Sequence, residues 1–243
     1  MNEAAHRLIG QPRFGGILVV GDHASNRVPQ DIDLGIDPAL LNEHIAVDLG
    51  VASVAETMAT RPGTAAWLAN VSRLVCDLNR DEQAPGAVPL ASDGHDIPGN
   101  YLNEAGREAR LARFFHPYHH GLAALLDKVP PALILSLHSF TPRLASDPEQ
   151  QRPWHVGVLY NEDDRAARIA IPLLEAEGLI VGDQLPYSGK ILNATMNRHA
   201  EAEGRPYLGI EVRQDQIADT AGQVVWADRL TRICNNVALE IGL

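Results

Sequence analysis

Cysteine is nearly absent: the 243 residues include two, Cys76 and Cys234, and neither belongs to a CxxC pair. A disulfide-stapled scaffold is therefore excluded, and two free buried thiols are expected rather than a single bridge. No apolar run approaches the roughly 20 residues that a bilayer-crossing helix needs. The first 13 residues are polar and lack the basic start and apolar stretch of a signal peptide, so a cytoplasmic location is expected. Positive charge is also short: 20 Lys and Arg against 31 Asp and Glu leave a net charge of −11. That balance argues against nucleic acid and anionic membrane as partners, and an acidic ligand would need arginines placed at its site. Missing too are a GxSxG elbow, a GxxxxGKS/T loop and a GxGxxG after a strand. Their absence weakens serine-hydrolase, kinase and dinucleotide readings. Cys76 lies within an apolar run and reads as a packed thiol rather than a nucleophile.

With 45% hydrophobic and 21% charged residues, the composition is that of an ordinary soluble globular protein. The length suits one large domain, 1–243, with its core from about residue 14, and sets no oligomeric state. Short Leu-rich and β-branched runs alternate with longer segments of helical periodicity. This predicts an α/β fold, a mixed and mostly parallel sheet flanked by helices on both faces. Strands are expected at 17–20, 64–68, 73–77, 132–137, 156–160, 179–181 and 207–213. Helices are expected at 38–59, 104–128, 163–177, 192–203 and 220–241, with Pro117 kinking the second. Asp37 and Pro38 supply a cap and a first helical residue for the 38–59 segment. The stretch 81–100, rich in Pro, Gly and Asp, reads as a long loop of the kind that borders binding sites.

The chemistry gathers where apolar strands end. The run 17–20 leads into Asp22, His23 and Asn26, the run 132–137 into His138, and the run 207–210 into Glu211. In α/β proteins the carboxyl ends of buried strands open onto the crevice where ligands bind. Two histidines delivered there suit a metal that keeps a position for water, although a single histidine in a polar loop more often just bonds its neighbours. Glu211 stands between apolar residues, a costly place for an acid unless it is paired, metal-bound or raised in pKa. It suits a general base, with an ion pair to Arg213 as the plainer alternative. Asn79 and Arg80 close the 73–77 run, where a guanidinium can clamp a carboxylate and an amide can orient it. A salt bridge to Asp77 or Asp81 would explain the same arginine. The dense group His116, Tyr118, His119 and His120 falls on a helix from which its side chains diverge, so packing or surface positions are expected.

Taken together, the segments GDHASNRVP (21–29), HIAVDLG (44–50), SRLVCDLNR (72–80), HSFTP (138–142), PYSG (186–189) and GIEVRQD (209–215) resemble the N-formylglutamate amidohydrolase family. They occur in the family's order across most of the chain. That family is similar to the zinc carboxypeptidases, so the resemblance implies a zinc-carboxypeptidase-like fold and a hydrolase dependent on Zn2+ or another divalent metal. The implied substrate is a small anionic N-acyl amino acid, N-formylglutamate giving glutamate and formate in the family's namesake reaction, a step in amino acid catabolism. The resemblance implies His23 and His138 as metal ligands and Glu211 as the catalytic base. It implies Asn79 and Arg80 as the pair that binds the substrate carboxylate and helps stabilise the oxyanion. The carboxypeptidase motif has glutamate three residues after its first histidine, where this chain has Asn26. Asn26 is thus expected as third ligand, with Asp22 or Asp48 as alternatives. Arg73, Arg143 and Arg213 are candidate helpers toward substrate carboxylates, and Tyr187, Ser188 and Lys190 candidate pocket residues. A hydrolase of a different N-acyl amino acid or small amide, and a binding relative without catalysis, are the alternative readings.

Overall fold

The computed structural model describes residues 4–242. The strands are β1 (His6–Gly10), β2 (Ile17–Gly21), β3 (Thr64–Ala69), β4 (Ala91–Ser92), β5 (His95–Asp96), β6 (Leu133–Phe140), β7 (Val156–Leu159), β8 (Val181–Asp183) and β9 (Tyr207–Arg213). Seven of them make one sheet in the order β1-β3-β2-β6-β9-β7-β8, while β4 and β5 pair as a separate hairpin. The central pairs β3-β2, β2-β6 and β6-β9 are parallel, and β7-β8 is too; β1-β3 and β9-β7 are antiparallel. The unbroken apolar run of β2 has a simple cause. Ile17 and Val19 pack into one core cluster and Leu18 and Val20 into the other, so both faces of the strand are covered.

Helices α1 (Val51–Met58), α2 (Glu104–Arg110), α3 (His116–Lys128), α4 (Arg165–Ala176), α5 (Ala194–His199) and α6 (Thr220–Ile241) lie between and after the strands. One face of the sheet is covered by α1, α4 and α6, through Val54, Met58, Leu174, Trp226, Leu230 and Val237. The other is covered by α3 and the coil of 71–78, through Tyr118, Leu122, Leu126, Leu74 and Leu78. The chain thus leaves β2 on one side toward β3 and returns on the other side to β6. Reversals of this kind open a crevice at the carboxyl ends of the strands. No described helix is long and apolar enough to cross a membrane.

Several expected elements are built differently. The 38–59 helix is two pieces: a 3-10 turn, Pro38–Asn42, capped by Asp37, and then α1. Between them the chain turns inward, where the Asp48 N–H donates to the His23 carbonyl at 3.0 Å. Gly50 then adopts φ +82, and a Cβ there would lie 2.5 Å from the Ile217 carbonyl oxygen, so only glycine makes this turn. The 73–77 strand is a helical turn instead, with Val75 and Cys76 N–H groups donating to the Ser72 carbonyl. Its residues are apolar because the turn is buried all round, and the turn puts Arg73 and Asp77 side by side at 3.1 Å. The 104–128 helix is built as α2, a π turn, Leu111–Phe115, and α3, with Pro117 in the first turn of α3, where its missing N–H costs least. The third edge run lies at Val181–Asp183 rather than 179–181, the 192–203 helix shortens to α5 plus a 3-10 turn, Glu201–Glu203, and β1 and the β4-β5 hairpin had no expectation.

Candidate active site

Adjacent strand ends assemble the site. Asp22 and His23 follow β2, His138 lies near the end of β6, and Glu211 on β9 is the register partner of His138. The inward turn after Asn42 adds Asp48. One donor atom from each of His23, Asp48 and His138 lies within 4.8 Å of the others, and all three residues are buried. Both ring nitrogens of each histidine meet carboxylates. His23 Nε2 donates to Asp77 Oδ1 at 2.7 Å, which leaves Nδ1 as its lone-pair end, 3.4 Å from Asp48 Oδ2. His138 Nδ1 lies 2.8 Å from the same Asp48 oxygen, and its Nε2 faces Asp22 Oδ2 at 3.6 Å. Tyr118 Oη donates to the other oxygen of Asp22 at 2.7 Å.

The electrostatics call for positive charge at this point. Burial alone would raise Asp48 and Asp77, yet the neighbouring His23, helped by His138 at Asp48 and Arg73 at Asp77, holds both carboxyls lowered. Burial likewise lowers the two histidines on its own, but Asp77 and Asp48 around His23, and Asp22 and Asp48 around His138, raise both. Glu211 moves the other way: burial outweighs the nearby His138 and raises it to about 7. His23 Nδ1, His138 Nε2, Asp22 Oδ2 and Glu211 Oε2 are buried without a hydrogen-bond partner. Two imidazoles, a lowered carboxylate and the partnerless His23 Nδ1 fit a divalent cation, with Asp77 behind His23 and Asp22 behind His138 orienting the two rings.

The cavity beside these groups holds about 150 Å³ and is lined by His23, Asp48, Arg73, Asn79, Arg80, His138, Tyr187 and Glu211 among others. Arg73 is spent on Asp48 and Asp77, at 3.2 and 3.1 Å. Arg80 touches Asp77 only through Nε, at 3.5 Å. Asp77 also accepts the Asn79 N–H at 3.0 Å, so one acid ties His23, Arg73, Arg80 and Asn79 together.

The structure brings His23, His138, Asn79, Arg80, Glu211 and Tyr187 to the lining of one cavity. Asn26 is a correction. It is exposed, and its amide donates to Asn42 at 3.2 Å, while Asp48 takes the third position. Ser188 and Arg213 do not line the cavity either. Ser188 Oγ accepts the Lys190 N–H, and the Arg213 guanidinium is held by Asp215 and by the Arg152, Pro153 and Trp154 carbonyls. Arg143 is exposed and Lys190 lies 3.9 Å from Glu162, both outside the cavity lining. Sequence reasoning passed over Asp77, whose only signal is an acid closing a buried apolar run. It also passed over His44 at the cavity wall, which donates to Asp93 at 2.9 Å; Asp93 in turn accepts from the Ala145 and Ser146 N–H groups.

The family model for N-formylglutamate amidohydrolase matches residues 15–218. Among solved structures, a gene product of Agrobacterium tumefaciens is similar at 29% identity and a TM-score of 0.92, covering 100% of this chain and 98% of its own. The N-formylglutamate amidohydrolase of Ralstonia eutropha JMP134 shares the fold at 18% identity and a TM-score of 0.78, covering 99% of this chain and all of its own. Among curated proteins, none matches the sequence.

Proposed function

Starting from the fact that the chain belongs to the N-formylglutamate amidohydrolase family, we propose that it is a metal-dependent amidohydrolase of short N-acyl amino acids. The reaction is N-formylglutamate plus water to glutamate plus formate. The observation that carries this reading is the placement of Glu211 as the register partner of His138, beside the convergence of His23, Asp48 and His138.

His23 and His138 through Nδ1, and Asp48 through Oδ2, would hold the metal. Two nitrogens and one carboxylate suit Zn2+, with other divalent ions as arms of the test. When bound, the metal polarises the acyl carbonyl and acidifies water. Glu211 takes a proton from the attacking water at its partnerless Oε2 and delivers it to the leaving nitrogen as the C–N bond breaks. A carboxyl raised to about 7 by burial is matched to both halves of that transfer. Arg80, beside Asn79, clamps the α-carboxylate and supports the oxyanion with its remaining N–H groups. Tyr187 closes the far wall, with its hydroxyl 3.1 Å from Arg152 Nη1.

A second reading has one observation in its favour. Among the described residues lining the cavity, Arg80 is the one guanidinium not already paired with two carboxylates. N-formylglutamate carries two carboxylates, and an N-acyl amino acid with a neutral side chain carries one. Turnover of N-formylglutamate and its neutral isostere N-formylglutamine, with zinc, manganese or no added metal, tests both readings. Hydrolysis of neither substrate under any metal condition would defeat the amidohydrolase assignment.

A further inference from the structure

We propose that His119, backed by His199, is a positioning residue for the carboxylate clamp formed by Asn79 and Arg80. The inference rests on the proposed amidohydrolase reading. It accounts for a histidine that the metal centre does not use and that lies 3% exposed within the HPYHH cluster.

The donors and acceptors are fixed by elimination. His119 Nε2 lies 3.0 Å from the Leu78 carbonyl oxygen, which can only accept, so Nε2 carries the proton. A neutral imidazole then offers Nδ1 as acceptor, and His199 Nε2, 2.9 Å away, must donate to it. Both rings are neutral near pH 7, because burial lowers His119 to about 3 and His199 to about 4. The two rings lie nearly in one plane, at an interplanar angle of 13° with centroids 5.1 Å apart, as an in-plane N–H···N bond requires. The relay therefore runs in one direction, from α5 through α3 to the backbone immediately before Asn79.

Leu78 receives a second brace. Thr195 Oγ1 donates to the same carbonyl at 3.1 Å, and the Thr195 backbone N–H donates to Asn79 Oδ1 at 3.0 Å. Asn79 lines the cavity, and with Oδ1 engaged its Nδ2 is the end left to donate to substrate. Asp77 holds the Asn79 N–H on the other side, at 3.0 Å. The segment 77–80 is thus pinned at Asp77, Leu78 and Asn79, and Arg80 inherits its direction from three fixed neighbours. Tyr118, the residue before His119, braces Asp22 behind His138. Two consecutive residues of α3 therefore support the two halves of the site separately.

The test compares hydrolysis of N-formylglutamate with that of its α-carboxamide, which the clamp cannot hold as an anion. For His119→Phe the expectation is a KM for N-formylglutamate raised about tenfold or more, with kcat within about threefold. The preference for the free carboxylate should fall toward that of Arg80→Ala. His119→Gln, whose amide can donate to Leu78, should restore most of the preference, and the metal content of each purified variant should match wild type. Thr195→Val, which removes the second donor to Leu78 but keeps the backbone N–H, should move the ratio in the same direction and serves if His119→Phe does not fold. Equal losses on both substrates, or an unchanged ratio while Arg80→Ala lowers it, would overturn the positioning assignment alone. A wild-type protein that hydrolyses neither substrate would instead overturn the reading on which it rests.

Discussion

His138 and Glu211 are direct register partners on adjacent parallel strands, so a candidate metal ligand and a candidate base leave the sheet side by side. Parallel pairing with this register sends both side chains to the same face. Replacing Glu211 with Gln keeps the shape and removes the proton acceptor. The expected result is a kcat reduced by about 10² or more with stoichiometric metal retained, read by steady-state kinetics and elemental analysis. Near-wild-type turnover would remove Glu211 from the chemistry.

Glu211 also gives a stability prediction for the metal-free protein. Its folded carboxyl is raised to about 7 from the ordinary 4.5. The folded state therefore binds the proton more tightly than the unfolded state, and the resulting stability is present below about 4.5 and lost as pH rises through 7. Glu211→Gln should melt above wild type at pH 8, with the gain shrinking toward pH 5. Thermal unfolding in chelator at the two pH values checks this, and a gain that grows toward acid would contradict it.

Metal dependence separates Asp48 from Asn26. Chelation should abolish hydrolysis, and Asp48→Asn should bind metal at least about tenfold more weakly. Asn26→Ala should keep wild-type metal content and turnover, because its amide is engaged with Asn42 at the surface. Loss of metal in Asn26→Ala would restore the motif-based ligand assignment.

Gly50→Ala tests the turn that delivers Asp48. A side chain at φ +82, facing the Ile217 carbonyl at 2.5 Å, should cost about 1–3 kcal/mol or more. The same variant should weaken metal binding beyond what its stability loss explains, since α1 begins at the next residue. Denaturant unfolding and metal titration give the two numbers.

The central strands and their reactive ends were legible because β2, β6 and β9 are covered on both faces and so read as unbroken apolar runs. Asp48 was harder to place. Leu40, Leu41, Ile45, Val51 and Val54 keep helical spacing, yet the first two and the last two belong to separate helical pieces, and Ile45 lies in the turn between them that carries the acid inward. Arg73 and Asp77 were hidden in the same way, in a buried helical turn whose apolar neighbours imitate a strand. Asn26 was favoured because motif spacing was carried over from a relative, while in this chain a residue 22 positions later, Asp48, docks against the His23 carbonyl. Hydrogen bonds across distant segments, such as His119 to Leu78, leave no periodic trace in sequence.

The convergence of His23, Asp48 and His138 has a consequence for the whole chain as a polymer. Asp48 and His138 are 90 residues apart in sequence, and the two cysteines, both buried, are free thiols. A cation held by these three side chains would close a long loop that no covalent bridge closes, and would favour the folded ensemble, in which the three donors meet. In this protein the metal would be a reversible cross-link, with fold lifetime and resistance to proteolysis set by free metal concentration.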